Sequence, residues 1–470
     1  MSKFIVRSLA LRASTIVACA ALTLVAMAQT APKTIFVNDF NAKGDGTTLD
    51  TAAIQQAIDT AAPLAETVSF KPGTYLTGAI FLHSGVTVDI PAGVTLTGSQ
   101  HLADYPEHPT RIAGIEMTWP TALINIRDAH NVTLTGKGVI DGNGSVWWKA
   151  YKDLRAIYEP KGLRWASDYD AKRVRLALIQ NSSNVRIGGG LTLKRSGFWT
   201  LQILYSHDIT VDGVTIRNNE DGKGPSTDGI DIDSSRLVEV SHADIDVNDD
   251  ALCLKSGRDA DGLRVNRPTE DIKIHDSIVR HGAAAVTIGS ETSGGFHNIE
   301  AWNLTAESGV SNGVLLKSAH LRGGTATDIR VHDLTLNGVG TPIAMTMNWN
   351  PAYSNATLPP GTDPKTIPPY WIPLTTPVPQ AQGRPHFSGV HIWNIHAIGA
   401  KKAFSVAAYA DAPLIDFKLD HIDIEAATAG SIADAKDWTL SDIHLTISDG
   451  STVQVTESTN ITGLPAAPAK

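Results

Sequence analysis

Two short stretches combine residue types and spacing in a way that could do chemistry. They are Ser226 to Asp233 (STDGIDID) and Asn248 to Gly257 (NDDALCLKSG). Aligned on their apolar alternation, Ile230 and Ile232 match Leu252 and Leu254, and Asp228 falls on Asp250 at an offset of 22 residues. That offset is about one coil of a β-solenoid, whose neighbouring strands stack about 4.8 Å apart. Asp228, Asp249 and Asp250 are therefore expected on one patch. Crowded carboxylates resist ionising together, so one keeps a proton near neutral pH while a neighbour stays anionic. One acid and one base is what cleavage of a glycosidic bond requires. The competing reading is that these aspartates only mark turns, but an Asp-Asp pair beside a buried apolar strand is costly without a purpose.

Residues 1–28 read as a secretory leader. Lys3, Arg7 and Arg12 form a positive start, Ala13 to Val25 are apolar or small, and Ala26-Met27-Ala28 fits a small-x-small cleavage site. The apolar run is short for a membrane anchor. Export to the periplasm or the medium is expected, with Ile16 to Cys19 leaving a lipoprotein box as the alternative. Cleavage after Ala28 removes Cys19, so Cys253 can form no internal disulfide and is expected to pack rather than react. It also removes three cations and no acid, moving the formal net charge from −9 to −12. That argues against nucleic acid as a partner, and no membrane association is expected. Stability must come from burial, and a monomer is expected.

The elements that must position the aspartates form a repeat. Short alternating segments begin at Asn131, Asn184, Asp208, Leu237, Asp271, Asn298, Asp328, Gly389 and Asp416. Most open on a small polar residue suited to a corner and continue in Val, Ile and Thr, which favour strand. Coils of this kind bury a continuous column only by stacking. No helix-period segments are read between the strands, which excludes a doubly wound α/β fold. The expected fold is all-β, a single parallel solenoid over residues 29–465. Near its start, Ile54, Ala57, Ile58 and Ala61 recur at helical spacing, with Asp50 as the expected N-cap. This helix is expected to lid the column, whose open end would otherwise be sticky.

One segment breaks the rhythm. Residues 351–385 hold ten of the 24 prolines, together with Tyr353, Tyr370 and Trp371. Proline at this density excludes a central strand. The segment is either a surface insertion without a role or a cleft wall whose aromatics stack on sugars. Residues 466–470 are expected to be a disordered tail.

The motifs resemble those of the pectin-degrading polygalacturonases of glycoside hydrolase family 28, bacterial members especially. The likeness runs through Phe40 to Gly46, Tyr75 to Leu82, Gly138 to Gly142 with Trp147-Trp148, Ser196 to Thr200, and above all Thr227-Asp228-Gly229 with Asn248-Asp249-Asp250. It implies a right-handed parallel β-helix of the pectin-lyase-like kind. It also implies inversion at the anomeric carbon, a pectic polysaccharide or oligosaccharide as substrate, no metal and no cofactor. By the same resemblance Asp249 is the general acid, and Asp228 and Asp250 position and deprotonate water.

Two departures bear on the substrate. The family's Gly-His-Gly falls on Gly282 to Ala285, so its imidazole is missing; His281 lies just before, in another phase of the strand. The family's Arg-Ile-Lys is Leu315-Leu316-Lys317 here, which keeps a point charge and loses the bidentate fork. Lys317, His281 and Tyr353 are taken as candidate substrate-binding residues. The implied activity is hydrolysis of galacturonosyl linkages. A rhamnogalacturonan or other modified pectin is the alternative substrate, and a non-catalytic carbohydrate-binding β-helix the alternative class.

Overall fold

The computed structural model describes residues 33–465. The leader, its cleavage site and Cys19 lie outside the described residues, as does the 466–470 tail.

The chain is a right-handed parallel β-helix. Three ladders of parallel strands run its length. One carries Ile80–Leu82, Ile124–Arg127, Ala177–Gln180, Leu201–Leu204, Ile230–Asp233 and Leu252–Lys255, then continues through residues 286–288, 314–317 and Thr341–Thr346. Alternation sends Ile230, Leu252, Val286, Val314 and Ile343 inward to form one apolar stack, all at most 2 % exposed. The residue following each faces outward, giving the row Asp231, Cys253, Thr287, Leu315, Ala344. The 22-residue offset holds as read: Ile230 pairs with Leu252 and Ile232 with Leu254.

The repeat seen in the sequence is the second ladder. All nine of its leading residues, from Asn131 to Asp416, have left-handed φ between 50° and 62°. Asn, Asp and Gly tolerate that region best; Leu237, at 52°, is the exception in type and is solvent-exposed. Amides stack along this corner. Asn184 Nδ2 donates to Asn131 Oδ1 (2.6 Å), and Asn298 Nδ2 to Asp271 Oδ1 (2.7 Å).

The lid is helix α1, Thr51–Ala61, with Ile54, Ala57, Ile58 and Ala61 buried. Its Gln55 side chain closes the open end. The amide donates to the Phe81 carbonyl (3.0 Å) and accepts the Phe81 N–H (2.8 Å), so a terminal strand's free groups are paired. Asp50 is not a side-chain cap. Its carboxylate instead accepts the N–H groups of Lys43 (2.7 Å) and Gly44 (3.0 Å), tying down the opening loop.

Three excursions leave the column. A hairpin pairs Glu107–Ile112 with Ile115–Pro120. Helix α2, Ser145–Tyr158, leads through turns to helix α3, Ser167–Asp170. The proline-rich segment forms short helical turns at Pro351–Ser354, Trp371–Thr375 and Gln380–Gly383. Helix α2 corrects the expectation that no helical period interrupts the strands. Its buried stripe of Trp147, Trp148 and Tyr151, set among exposed Lys149 and Lys152, is a legible helical pattern.

Candidate active site

The two aspartate corners are stacked by backbone pairing. Gly229 N–H donates to the Asp250 carbonyl (2.9 Å), and Thr200 N–H to that of Asp228 (3.0 Å). Glycine at 229 is required by this approach, since a Cβ there would lie 2.3 Å from the Ala251 carbonyl oxygen. Asp228, Asp249 and Asp250 thereby line one cleft. Further walls come from the three excursions: Ala113 at the hairpin tip, Arg164 and Asp168 around α3, and Trp349 and Tyr353 where the proline-rich loop leaves the column.

The carboxylates do not stand alone. Lys317 Nζ lies 2.6 Å from Asp250 Oδ2, and Thr287 Oγ1 donates to Asp250 Oδ1 at 2.9 Å. Lys255 Nζ lies 3.4 Å from both Asp228 Oδ2 and Asp231 Oδ1, and 3.5 Å from Glu291 Oε2. Burial acts to raise every acid here, and the lysines decide which are rescued. Burial would lift Asp250, but Lys317 and Lys255 overcome it and hold it below the usual carboxylate range. Glu291 is likewise brought down to about 2 by Lys255, Arg322, Arg258 and Lys317. The rest go the other way. Burial, then the charges of Asp231 and Asp249, push Asp228 well up; burial and Asp250 raise Asp249; burial carries Asp231 to about 7. Cationic neighbours thus sustain two anions, Asp250 and Glu291, and the other three acids hold their protons to higher pH than usual.

Asp249 is half-buried and open to the cleft, with one oxygen accepting the Asp250 N–H at 3.0 Å. Asp228 Oδ1 is buried without a protein partner among the described residues. Asp228, Asp250 and Cys253 bring ligand atoms within 4.8 Å of one another. The trio is a poor cation site: lysines already neutralise the carboxylates, and burial pushes the Cys253 thiol well above its ordinary range, against the thiolate that a metal needs.

Of the expected binding residues, Lys317 and Tyr353 line the cleft and His281 does not. His281 Nδ1 donates to the Val247 carbonyl (2.7 Å) from the neighbouring corner, so the imidazole does not replace the missing one in the cleft. Lys317 makes its short contact with Asp250, so its first effect falls on that carboxylate. Tyr353 is 6 % exposed and donates to Glu291 Oε1 (3.2 Å), while the Arg258 guanidinium carbon lies 4.4 Å from its ring centre. It braces Glu291 rather than offering a stacking face. Tyr370 and Trp371 are not among the cleft-lining residues, against the cleft-wall alternative. Both donate to Asp170 Oδ1 (2.8 and 3.1 Å), and Trp371 packs on Trp165 at 4.8 Å, fastening the loop to α3. Lys255, Asp231 and Glu291 were missed by the sequence reading. Strand alternation places Asp231 and Lys255 on the outward phase with Cys253, a signal legible beforehand; Glu291 carried none.

A family model described as glycosyl hydrolases family 28 matches residues 71–363, and one described as rhamnogalacturonase A/epimerase, pectate lyase-like, matches residues 34–101. The chain is 28 % identical over 336 residues to an exo-poly-alpha-D-galacturonosidase of Dickeya chrysanthemi, covering 63 % of this chain and 54 % of that one. It is 29 % identical over 341 residues to a probable polygalacturonase of Vitis vinifera, covering 70 % and 65 %. The match thus spans less than two thirds of either relative's length. An exopolygalacturonase structure from Thermotoga maritima superposes with a TM-score of 0.74 over 89 % of this chain and 92 % of that one, at 23 % identity.

Proposed function

This chain belongs to glycosyl hydrolases family 28, and from that premise we propose that it is an inverting glycoside hydrolase cleaving galacturonosyl linkages of pectin, exported and acting as a monomer. The observation that carries this reading is the split among stacked carboxylates: Lys317 favours the ionised form of Asp250, while its neighbour Asp249 is shifted toward holding its proton. Asp249 gives that proton to the glycosidic oxygen as the bond to the anomeric carbon breaks. Asp250 takes a proton from a water whose oxygen bonds to that carbon from the opposite face, inverting it. Asp228 serves as anchor rather than second base. Its unpartnered oxygen holds the water, and its raised proton affinity leaves Asp250 as the ionised member of the pair. Exchange with solvent then restores Asp249 and Asp250.

Incubation with oligogalacturonides, with products identified by mass spectrometry and the new anomer followed by proton NMR, tests the reading. Release of galacturonides with inverted configuration is expected. Retention, or no release from any pectic fragment, refutes it. A modified-pectin substrate is the second reading, favoured by the apolar cluster of Ala284, Leu315 and Ala344 on the outer face of the catalytic ladder. Turnover of rhamnogalacturonan but not of polygalacturonan would select it.

A further inference from the structure

Three cations line the cleft, and two are already engaged. Lys317 is bound to Asp250, and Lys255 is shared among Asp228, Asp231 and Glu291. The third, Arg164, is placed differently. It stands in the turn Arg164–Ala166 between α2 and α3, on an excursion and not on the column. Its Nη1 donates to Asp168 Oδ2 at 2.7 Å, and its Nε is 3.8 Å from Glu159 Oε1, beyond hydrogen-bond reach. Nη2 has no hydrogen-bond partner among the described residues, and the side chain is 18 % exposed.

Nor does either nearby acid belong to it alone. Asp168 also accepts from Arg173 Nη2 at 2.7 Å, and Glu159 is bonded to Arg155. Three guanidiniums therefore share two carboxylates. Arg173 is fully buried with its charge packed against Tyr151 and Phe198, so the surplus is presented to the cleft by Arg164. An ionised ligand entering beside the aspartates meets there Arg164, the one guanidinium lining the cleft, with a donor to spare.

We propose that Arg164 reads the carboxylate of the substrate, so that the cleft takes an ionised uronate at or next to the cleaved bond. The identity of the sugar rests on the glycosidase reading above; the carboxylate preference rests on Arg164 alone. A planar guanidinium matches a carboxylate by charge and by paired donors. A methyl ester or a primary alcohol at the same carbon forfeits the charge.

The test compares oligogalacturonides with the same oligomers reduced to the neutral sugar, reading the ratio of kcat/KM for acid over neutral. Charged hydrogen bonds contribute about 1.5–3 kcal/mol, so Arg164→Gln should lower that ratio about tenfold or more. A residue acting only by holding Asp168 would lower both substrates equally, and that outcome overturns the proposal, as does an unchanged ratio. Should Arg164→Gln not fold, Arg164→Lys replaces it, with a drop of at least about threefold expected because the fork is lost; an unchanged ratio again overturns it. Calorimetry of both oligomers on Asp249→Asn, with and without Arg164→Gln, decides the matter independently of turnover. About tenfold weaker binding of the acid form alone supports Arg164 even if the wild type hydrolyses nothing, which would refute only the glycosidase reading. Equal binding with and without the substitution, or no binding of the acid form, overturns it.

Discussion

At the scale of single residues, Asp249 and Asp250 are chemically identical neighbours whose proton affinities are driven in opposite directions. Asp250 faces Lys317 across 2.6 Å, whereas Asp249 feels burial and the charge of Asp250. Asp249→Asn keeps the shape and removes the proton, so kcat should fall by about 10²–10⁴ with the melting temperature little changed; near-normal turnover removes the role. Activity of the wild type should be lost as pH falls through the depressed Asp250 value and as pH rises through the elevated Asp249 value. Lys317→Met should move the low-pH limb upward, because Asp250 then ionises later, and should do so equally on acid and neutral substrates. A pH–rate profile with that limb unmoved would show that Lys317 does not set the charge of Asp250. Asp231 allows a stability test. Its folded value of about 7 lies above the unfolded one, so the native state binds the extra proton and stability declines as pH rises from about 4 to 7. Asp231→Asn should stabilise the protein by a few kcal/mol at pH 8 and leave it unchanged at pH 4, measured by urea unfolding at both values.

At the scale of elements, the column supplies the acids and the excursions supply the walls. The outer face of the second ladder carries a stack of rings that helps hold coils in register. His275 lies 4.3 Å from Trp302, and His332 lies 4.0 Å from Trp393, with interplanar angles of 14° and 10°. These rings turn their faces to one another, which suits a structural ladder. The proline-rich loop is held quite differently, through Trp371 against Trp165 and Asp170. Trp371→Ala should free the loop and with it Tyr353, the brace of Glu291. Hydrogen exchange should increase over residues 351–383 while the strands keep their protection, and kcat/KM should drop about tenfold or more, since small misplacements are costly in catalysis. Unchanged exchange in the loop would show that this anchor does not hold it.

At the scale of the whole molecule, a stacked column is stabilised by neighbour-to-neighbour contacts, so damage should be local in space. The lid gives the cleanest case. Ile58 is fully buried in α1, whose Gln55 pairs with the first strand of the ladder that carries the aspartate corners. Ile58→Asp buries a charge against that end, a large destabilisation. Exchange should rise at residues 67–90 and fade toward residues 404–433. Uniform loss of protection along the chain would mean that the column melts as one unit. Among the described residues no helix is long and apolar enough to cross a membrane.

The sequence by itself determined the column's phase, the lid and the convergence of the three aspartates, because each is written in a short local period. Alternation fixes which side chains enter the core, a corner residue with left-handed φ marks each turn, and a 22-residue offset stacks Asp228 on Asp250. Only the tertiary structure decided which aspartate keeps its proton. The deciding charges, Lys255 and Lys317, arrive from different coils, and burial, the largest influence, is no property of a local pattern. Only it, too, turned Tyr370 and Trp371 away from the cleft and brought Arg164 into it. Excursions have no period to extrapolate, and their paths are set by what they pack against.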